Sequence, residues 1–284
     1  MKAAAHPNGL IDLHSHHRRC GHARGELRDY VDGAVVAGIT RFGISDHAPL
    51  FAEAEDDPQP TIRMARSEYQ DYLREAKALR ARHAGELAVL VGVEADYVEG
   101  EEARYREILA ASELDYVIGS VHAFGPYHVY QRETWPADGD RRELFSMYFR
   151  HVRQAAMSGL FDILGHFDAV KVFGPEVFDV AQDDIAETLD AIVASGITVE
   201  INTAGLRKCG ELFPRPALIR ALASRGVRFT FGSDAHAPEE LGYGSTEVLA
   251  LCEQFGIDTF ATFASRTCSL VPRPRLPARQ GAPG

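Results

Sequence analysis

The sequence lacks the features that mark a secreted, membrane-spanning or disulfide-bonded protein. No apolar run approaches the roughly 18–20 residues that a transmembrane helix needs, and the N-terminal MKAAAHPNGLIDLH has no apolar core of signal-peptide length. The four cysteines (Cys20, Cys209, Cys252 and Cys268) are scattered, with no CxxC pair. They argue against a disulfide scaffold or a thiolate zinc site, and they predict a protein of the reducing cytoplasm without a membrane partner.

Positive charge is also scarce. Asp and Glu total 41 and Lys and Arg total 30, which gives a formal net charge of -11. Because so acidic a surface repels phosphate backbones, we expect no nucleic-acid partner. A small phosphorylated substrate remains compatible with this charge, since bound metal ions would supply local positive charge.

The chain is long enough for one barrel-sized domain with a substantial core. It has 284 residues, of which 45% are hydrophobic and 25% charged, as in ordinary soluble globular proteins. We predict a single domain over residues 9–271, with a flexible N-terminus over residues 1–8. The end of the chain, VPRPRLPARQGAPG, is rich in Pro and Arg and predicts a disordered tail over residues 272–284.

Seven short apolar segments typical of β-strands alternate with helical patterns. They are LIDLH, RFGIS, AVLVGVE, DYVIGSVH, DILGH, ITVEIN and RFTFGS. Several are apolar on both faces, as expected for strands covered by helices. This alternation predicts parallel pairing and an α/β fold, and seven units point to a closed or nearly closed barrel. The pattern alone also allows an open, doubly wound sheet.

Capping residues mark the helices between the strands. Gly38 and Gly196 follow helical stripes and can adopt the left-handed conformation that ends a helix. Ser67 and Gln70 form a candidate capping box. Pro216 suits the first turn of the helix ALIRALASRG.

Histidine or carboxylate side chains end six of the seven predicted strands. In chain order these are His14 with His16, His47, Glu94, His122, His166, and Asp234 with His236. The sixth strand ends at Asn202 without such a candidate. The carboxyl ends of parallel barrel strands share one face, and residues two apart in an extended chain point the same way.

These side chains predict a metal site at that face. Any one histidine at a strand end is more often a hydrogen-bonded structural residue, but burying so many unpaired imidazoles and acids would be costly without a cation. Imidazoles and carboxylates without thiolates suit zinc, manganese or iron. Asp12 and Asp46 flank the histidines, and they either orient imidazole rings or make ordinary strand-end hydrogen bonds.

The order of these motifs resembles a known family. HxH, CGHA, SDH, a lone Glu, VH, GH and SDAH follow one another as in the PHP (polymerase and histidinol phosphatase) family, from about Leu10 to about Phe263. More narrowly, HSHHRRCGHA, IGSVHAF, LGHFDAVK and EINTAGLRKCGELFP are similar to the family's histidinol-phosphate phosphatases. The resemblance implies a distorted (β/α)7 barrel with a trinuclear metal site. It also implies an enzyme that removes phosphate from L-histidinol phosphate in histidine biosynthesis.

The resemblance further implies nine ligands for three divalent ions of zinc, manganese or iron. One ion would be held by His14, His16, Glu94 and Asp234, a second by Glu94, His122 and His166, and a third by His22, His47 and His236. Only the family pattern singles out His22, which lies in a loop.

The expected reaction is attack on phosphorus by a hydroxide that bridges two metals. Glu94, Asp234 and His236 are the expected catalytic residues, and a metal-bound water competes with the latter two as proton donor to the leaving oxygen. The resemblance makes Arg207 a phosphate ligand, as bidentate guanidinium geometry allows. Lys171 stands about where family members often have Arg, and it can neutralise phosphate only as a point charge. Arg207 could instead be a solvated loop residue, Lys171 could have no functional role, and we expect Lys208 to be solvated.

Three other functions remain open. A broader PHP phosphoesterase acting on nucleotides or other small phosphate esters would share the metal ligands. An amidohydrolase-type barrel is disfavoured, because such barrels often carry a carbamylated Lys where this chain has Glu94. A PHP module that only binds is disfavoured by the complete ligand set. The loop GPYHVYQRETWPADGD could stack an aromatic ring on a substrate imidazole, or it could serve only packing.

Overall fold

The computed structural model describes residues 9–53, 55–57, 60–137 and 141–275. The predicted flexible segment 1–8 lies outside this range, and only residues 272–275 of the predicted tail lie inside it. Pro272 is the last residue of a strand, and the backbone N–H of Arg273 donates to the carbonyl of Asp258 at 3.0 Å.

Seven parallel strands form the main sheet. Numbered in chain order among all strands described, they are β1 (Leu10–Asp12), β2 (Ile39–Ile44), β3 (Ala88–Asp96), β4 (Tyr116–Ser120), β7 (Ile163–Leu164), β8 (Thr198–Asn202) and β9 (Phe229–Gly232). Their order in the sheet is β1-β2-β3-β4-β7-β8-β9. The last strand returns to the first, because Leu13 N–H donates to the carbonyl of Phe231 at 3.0 Å and Ser15 bridges Ala235. The barrel prediction is confirmed, and the open sheet is excluded.

Two antiparallel hairpins complete the strands described. The first joins β5 (Ala123–Phe124) to β6 (Tyr127–His128), and the second joins β10 (Thr259–Ala264) to β11 (Thr267–Pro272). The turn of the second hairpin is anchored to the barrel, because the guanidinium of Arg266 pairs with Asp162 and donates to the carbonyl of Leu160 at 2.6 Å. This hairpin therefore contacts the segment that leads into β7, on the side of the barrel opposite the carboxyl ends of the strands.

Helices cover the outside of the barrel. Those described are α1 (Leu27–Val36), α2 (Tyr69–Arg82), α3 (Glu102–Ala111), α4 (Arg141–Met157), α5 (Val177–Val180), α6 (Gln182–Ser195), α7 (Ala204–Lys208), α8 (Pro216–Ala223) and α9 (Ser245–Phe255). No helix in the described ranges is long and apolar enough to cross a membrane.

The predicted helix signals were right at three positions and wrong at one. Gly196 is the left-handed C-cap of α6, Gly38 has a φ of 71° just after α1, and Pro216 begins α8. The capping box at Ser67 is absent, because a 3-10 turn precedes α2 and the N–H of Ser67 donates to Asp56. The capping box found in the structure lies instead at the start of α1.

One buried tyrosine fixes the backbone beside the strand ends. The hydroxyl of Tyr116 on β4 donates to the carbonyl of Leu13 at 2.6 Å, next to His14. The ring fits across the barrel only because two neighbours lack a side chain. A Cβ on Gly43 would lie 2.0 Å from the Tyr116 hydroxyl, and one on Gly92 would lie 2.6 Å from its ring. These glycines therefore allow the contact that supports the site.

Candidate metal centre

All nine predicted ligands lie together at the carboxyl ends of the barrel strands. The inner ones are buried, and they are His14, His16, Glu94, His122, His166 and Asp234. His47 and His236 are partly exposed, and His22 is exposed at the rim. The alternation of an extended chain explains the placement of His14 and His16 after β1, because side chains two residues apart turn to the same face.

Glu94 on β3 is the centre of the cluster. Its Oε1 lies 3.0 Å from His166 Nε2 and 3.6 Å from His122 Nε2. Its Oε2 lies 2.8 Å from His47 Nδ1 and 3.4 Å from His14 Nε2. Burial opposes ionisation, yet these imidazoles hold the pKa of the carboxyl well below its usual range. An ionised carboxylate reached from both sides is suited to bridging two cations.

Asp234 closes one side of this cluster. Its Oδ1 lies 3.1 Å from His16 Nε2 and 3.9 Å from His14 Nε2, and Asn202 donates to its Oδ2 at 3.3 Å. Asp234 has a φ of 52°, a left-handed conformation that is uncommon for a residue other than glycine. Such strain is often kept where a backbone must aim a functional side chain.

The remaining histidines form the rim. His16, His47 and His236 offer ligand atoms that lie within 4.8 Å of one another. His22 joins this group through His236, with 3.0 Å between their Nε2 atoms. Burial and the neighbouring His16 lower the pKa of His47 to about 4, so its ring is neutral and able to bind a metal at physiological pH.

Three of the predicted ligand histidines each donate a hydrogen bond from Nδ1 to a second carboxylate. The pairs are His14 with Glu200 at 2.6 Å, His16 with Asp46 at 3.3 Å, and His122 with Asp96 at 2.7 Å. Because a carboxylate only accepts hydrogen bonds, the ring proton resides on Nδ1. In the neutral form of each ring, Nε2 is then the nitrogen whose lone pair a metal ion can bind.

Two of these carboxylates were missed in the sequence, although a signal was there. Asp96 follows Glu94 by two residues on β3, and Glu200 precedes Asn202 by two residues on β8, so each shares a face with a strand-end residue. Asp46 orients an imidazole, which was one of the two roles considered for it. Asp12 makes backbone hydrogen bonds instead, because its carboxylate accepts from the N–H groups of Ser233 and Gly242, each at 2.9 Å.

The donor set fits divalent metal ions. His14 Nε2, His16 Nε2 and Glu94 Oε2 are buried and make no hydrogen bond of good geometry in the described ranges, although oppositely charged or imidazole atoms lie within 3.4 Å of each. The same three residues offer ligand atoms within 4.8 Å of one another. Leaving a buried polar atom unpaired costs about 1–3 kcal/mol, which coordination to a cation would remove. Nitrogen and oxygen donors without a thiolate suit zinc, manganese or iron.

A cavity of about 280 Å³ opens onto the cluster. Its wall away from the ligands includes Thr61, Ile62, His128, Tyr130, Gln131 and Lys208. The ammonium of Lys208 lies 4.3 Å from the centre of the Tyr130 ring. Lys208 is exposed, as expected, and it also lines this cavity.

Arg207 and Lys171 are engaged elsewhere. Arg207 Nη2 donates to the carbonyls of Ser233 and Asp234, both at 3.2 Å, and so supports the backbone that carries a predicted ligand. The buried Lys171 Nζ donates to Asp168 at 3.0 Å and to the carbonyl of Leu212 at 2.6 Å. Neither side chain is among the described residues that line the cavity at the cluster. Their roles as phosphate ligands remain predictions.

Comparison with known proteins supports the family resemblance seen in the sequence motifs. A PHP domain model matches residues 12–204, and a PHP-associated model matches residues 218–258. A probable histidinol-phosphatase of Deinococcus radiodurans is 38% identical over 239 residues, which are 83% of this chain and 89% of that protein. The histidinol-phosphatase of Bacillus subtilis is 26% identical and matches over 85% of this chain and 98% of that protein.

Solved structures share the fold. The histidinol phosphate phosphatase of Lactococcus lactis, in complex with zinc, L-histidinol and phosphate, superposes with a TM-score of 0.78 at 20% identity, over 92% of this chain and 98% of that one. A putative histidinol phosphatase of Listeria monocytogenes gives a TM-score of 0.74 at 22% identity, over 84% of this chain and 99% of that one. Because the PHP domain model spans more than half of the chain and a relative is 38% identical over most of it, this protein belongs to the PHP domain family.

Proposed function

We propose that this protein is a metal-dependent phosphomonoesterase that hydrolyses L-histidinol phosphate to L-histidinol and inorganic phosphate. The observation that carries the proposal is the convergence of unpaired, buried nitrogen and oxygen atoms at the floor of a cavity large enough for a small ester. The names of the curated relatives and the ligands of the Lactococcus lactis structure support the choice of substrate.

We assign three divalent ions to the nine clustered side chains. They are His14, His16, His22, His47, Glu94, His122, His166, Asp234 and His236. Ions in this set would act as Lewis acids that make water nucleophilic near neutral pH and offset the charge of the phosphoryl group. Glu94 would contribute to two ion positions, because histidines approach both of its oxygens.

The protein's own residues bind and orient the ester. Lys208 lines the cavity wall, where its ammonium can form an ion pair with the phosphoryl oxygens. Asp234 or His236, whose Oδ1 and Nδ1 atoms are 3.5 Å apart, would relay to the leaving oxygen a proton whose source is a water held by one of the ions. Arg207 donates hydrogen bonds to the carbonyls of Ser233 and Asp234 and so keeps the Asp234 and His236 side chains in position.

Steady-state hydrolysis by the metal-loaded protein tests the proposal. We expect kcat/KM for histidinol phosphate to exceed that for nucleoside or sugar monophosphates by at least about 100-fold, because the cavity must also recognise the alcohol part. Glu94→Gln should abolish activity toward every ester while the protein stays folded. Equal rates across the panel would instead support a phosphoesterase of broad specificity.

We further propose a cytoplasmic location and no nucleic-acid partner. All four cysteines are unpaired, as expected in a reducing compartment. The net charge of -11 disfavours contact with a phosphate backbone. Binding of labelled RNA or DNA at low salt, where electrostatic contacts are strongest, would contradict the second statement.

A further inference from the structure

We propose that His128 is a specificity-determining residue, and that its Nε2–H donates a hydrogen bond to the unprotonated ring nitrogen of the substrate's imidazole. This inference rests on the proposed function, because it assigns the contact for the end of the substrate that carries no phosphate. Three features of His128 support it: its position, its tautomer and the rigidity of the loop that holds it.

His128 lines the cavity one side chain beyond the cluster. The centre of its ring lies 6.0 Å from the centre of the His122 ring, and His122 Nε2 in turn lies 3.6 Å from Glu94. A substrate whose phosphate lies at the cluster would extend its organic part toward this wall. Ile62, Thr61 and Gln131 line the same cavity, so His128 belongs to a wall of mixed apolar and neutral polar character.

The tautomer of His128 follows from its hydrogen bond. The backbone N–H of Tyr130 donates to His128 Nδ1 at 3.2 Å, and a backbone N–H can only donate. Nδ1 must therefore be the unprotonated nitrogen, and the proton of the neutral ring resides on Nε2. The donor of the ring is thus Nε2–H, on a side chain that lines the cavity. The natural complement is an acceptor such as the unprotonated nitrogen of an imidazole.

The loop presents this donor in a fixed position. His128 N–H donates to Thr134 Oγ1 at 2.9 Å, and Trp135 Nε1 donates to the carbonyl of His128 at 2.8 Å. The N–H of the next residue, Val129, donates to the carbonyl of His122 at 2.8 Å. These bonds tie the loop both to itself and to a strand end of the metal centre. A donor held in this way loses little conformational freedom when a ligand binds.

Ring-free esters cannot make this hydrogen bond. An amino-alcohol phosphate such as O-phosphoethanolamine carries the phosphate and the ammonium but no aromatic acceptor. A donor placed for a ring nitrogen therefore raises kcat/KM for histidinol phosphate and leaves the ring-free ester unaffected. This selective effect distinguishes a contact with the ring from a contact with the phosphate.

Two substitutions separate the two nitrogens of the ring. In His128→Asn the amide oxygen can replace Nδ1 as acceptor for the Tyr130 N–H, but the donor at the position of Nε2 is lost. In His128→Gln the amide nitrogen can replace the Nε2 donor, but the acceptor for the loop is lost. His83→Asn, at the end of α2 and outside the cavity, is the matched control.

The experiment measures kcat/KM of the metal-loaded full chain for histidinol phosphate and O-phosphoethanolamine, together with inhibition by histidinol. For His128→Asn we expect a loss of about 10- to 100-fold with histidinol phosphate, weaker inhibition by histidinol, and a change of less than about twofold with O-phosphoethanolamine. His128→Gln should retain more of the preference than His128→Asn, and His83→Asn should retain all of it.

The failures of the two proposals can be told apart. A wild-type protein without preference for histidinol phosphate overturns the proposed function, and this inference with it. A wild-type preference that survives His128→Asn overturns this inference alone. An equal loss with both esters also overturns it, because His128 would then act on the phosphate or on the metal centre.

Discussion

Replacing Glu200 with glutamine is expected to weaken metal binding while leaving the fold intact. The Glu200 side chain is 1% exposed, and its Oε1 accepts the Nδ1 proton of His14 at 2.6 Å. Its Oε2 accepts from Asn202 Nδ2 at 3.0 Å and from the backbone N–H of His166 at 3.3 Å. Glutamine has nearly the same shape, so the change acts on hydrogen bonding and charge rather than on packing.

Neither orientation of the new amide can satisfy all of these partners. If the amide nitrogen faces His14, it donates to Nδ1 and moves the ring proton to Nε2, where the proton occupies the lone pair needed by a metal. If the oxygen faces His14, the amide nitrogen meets the donors of Asn202 and His166. Loss of such an orienting carboxylate typically lowers metal affinity 10- to 100-fold, or by about 1.4–2.7 kcal/mol.

The assay is a competition titration of zinc between the metal-depleted protein and a chelator of known affinity. Asp115→Asn is the matched control, because Asp115 is 8% exposed, accepts from Val91 N–H at 2.8 Å and from Arg80 at 2.9 Å, and lies outside the cluster. It should lower the free energy of unfolding without changing zinc affinity. Unchanged affinity in folded Glu200→Gln would refute the reasoning. So would an equal loss in the control, since general destabilisation would then be the cause.

Three further predictions concern the metal, the phosphate and the barrel interior. Adding zinc at about 100 times its Kd should stabilise the folded protein by about 2.7 kcal/mol per site, and chelation should reverse this; a melting temperature insensitive to both would contradict metal binding. Lys208→Met should raise KM for phosphate esters about 10-fold at unchanged stability, whereas Lys171→Met should mainly lower the melting temperature. The reverse result in steady-state kinetics and thermal unfolding would support Lys171 as the phosphate ligand. Gly43→Ala should destabilise the fold by about 1–3 kcal/mol, because its Cβ would lie 2.0 Å from the Tyr116 hydroxyl; denaturant unfolding checks this, and a neutral result would mean that Tyr116 can move.

Most of the fold could be predicted because its signals are local. Each strand is a short apolar segment, and Pro216 and Gly196 begin and end helices by their own backbone preferences. The closure of the barrel and the hairpin after α9 could not be read in this way. Closure depends on hydrogen bonds between residues more than 200 positions apart, such as Leu13 and Phe231.

The clustering of eight of the nine predicted ligands could be predicted because strand geometry relates a residue's position in the chain to its position in space, whereas only the family resemblance indicated His22. The same two-residue periodicity would have indicated Asp96, two residues after Glu94, and Glu200, two residues before Asn202. The phosphate side has no such rule. Arg207 and Lys208 are neighbours on a helix of five residues, and adjacent helical side chains point about 100° apart. Hydrogen bonds elsewhere in the fold decide which of the two lines the cavity. Arg207 donates to the carbonyls of Ser233 and Asp234, which leaves Lys208 to line the cavity. The site is thus predictable where the backbone alone aims the side chains, and it becomes unpredictable where tertiary hydrogen bonds choose between neighbours.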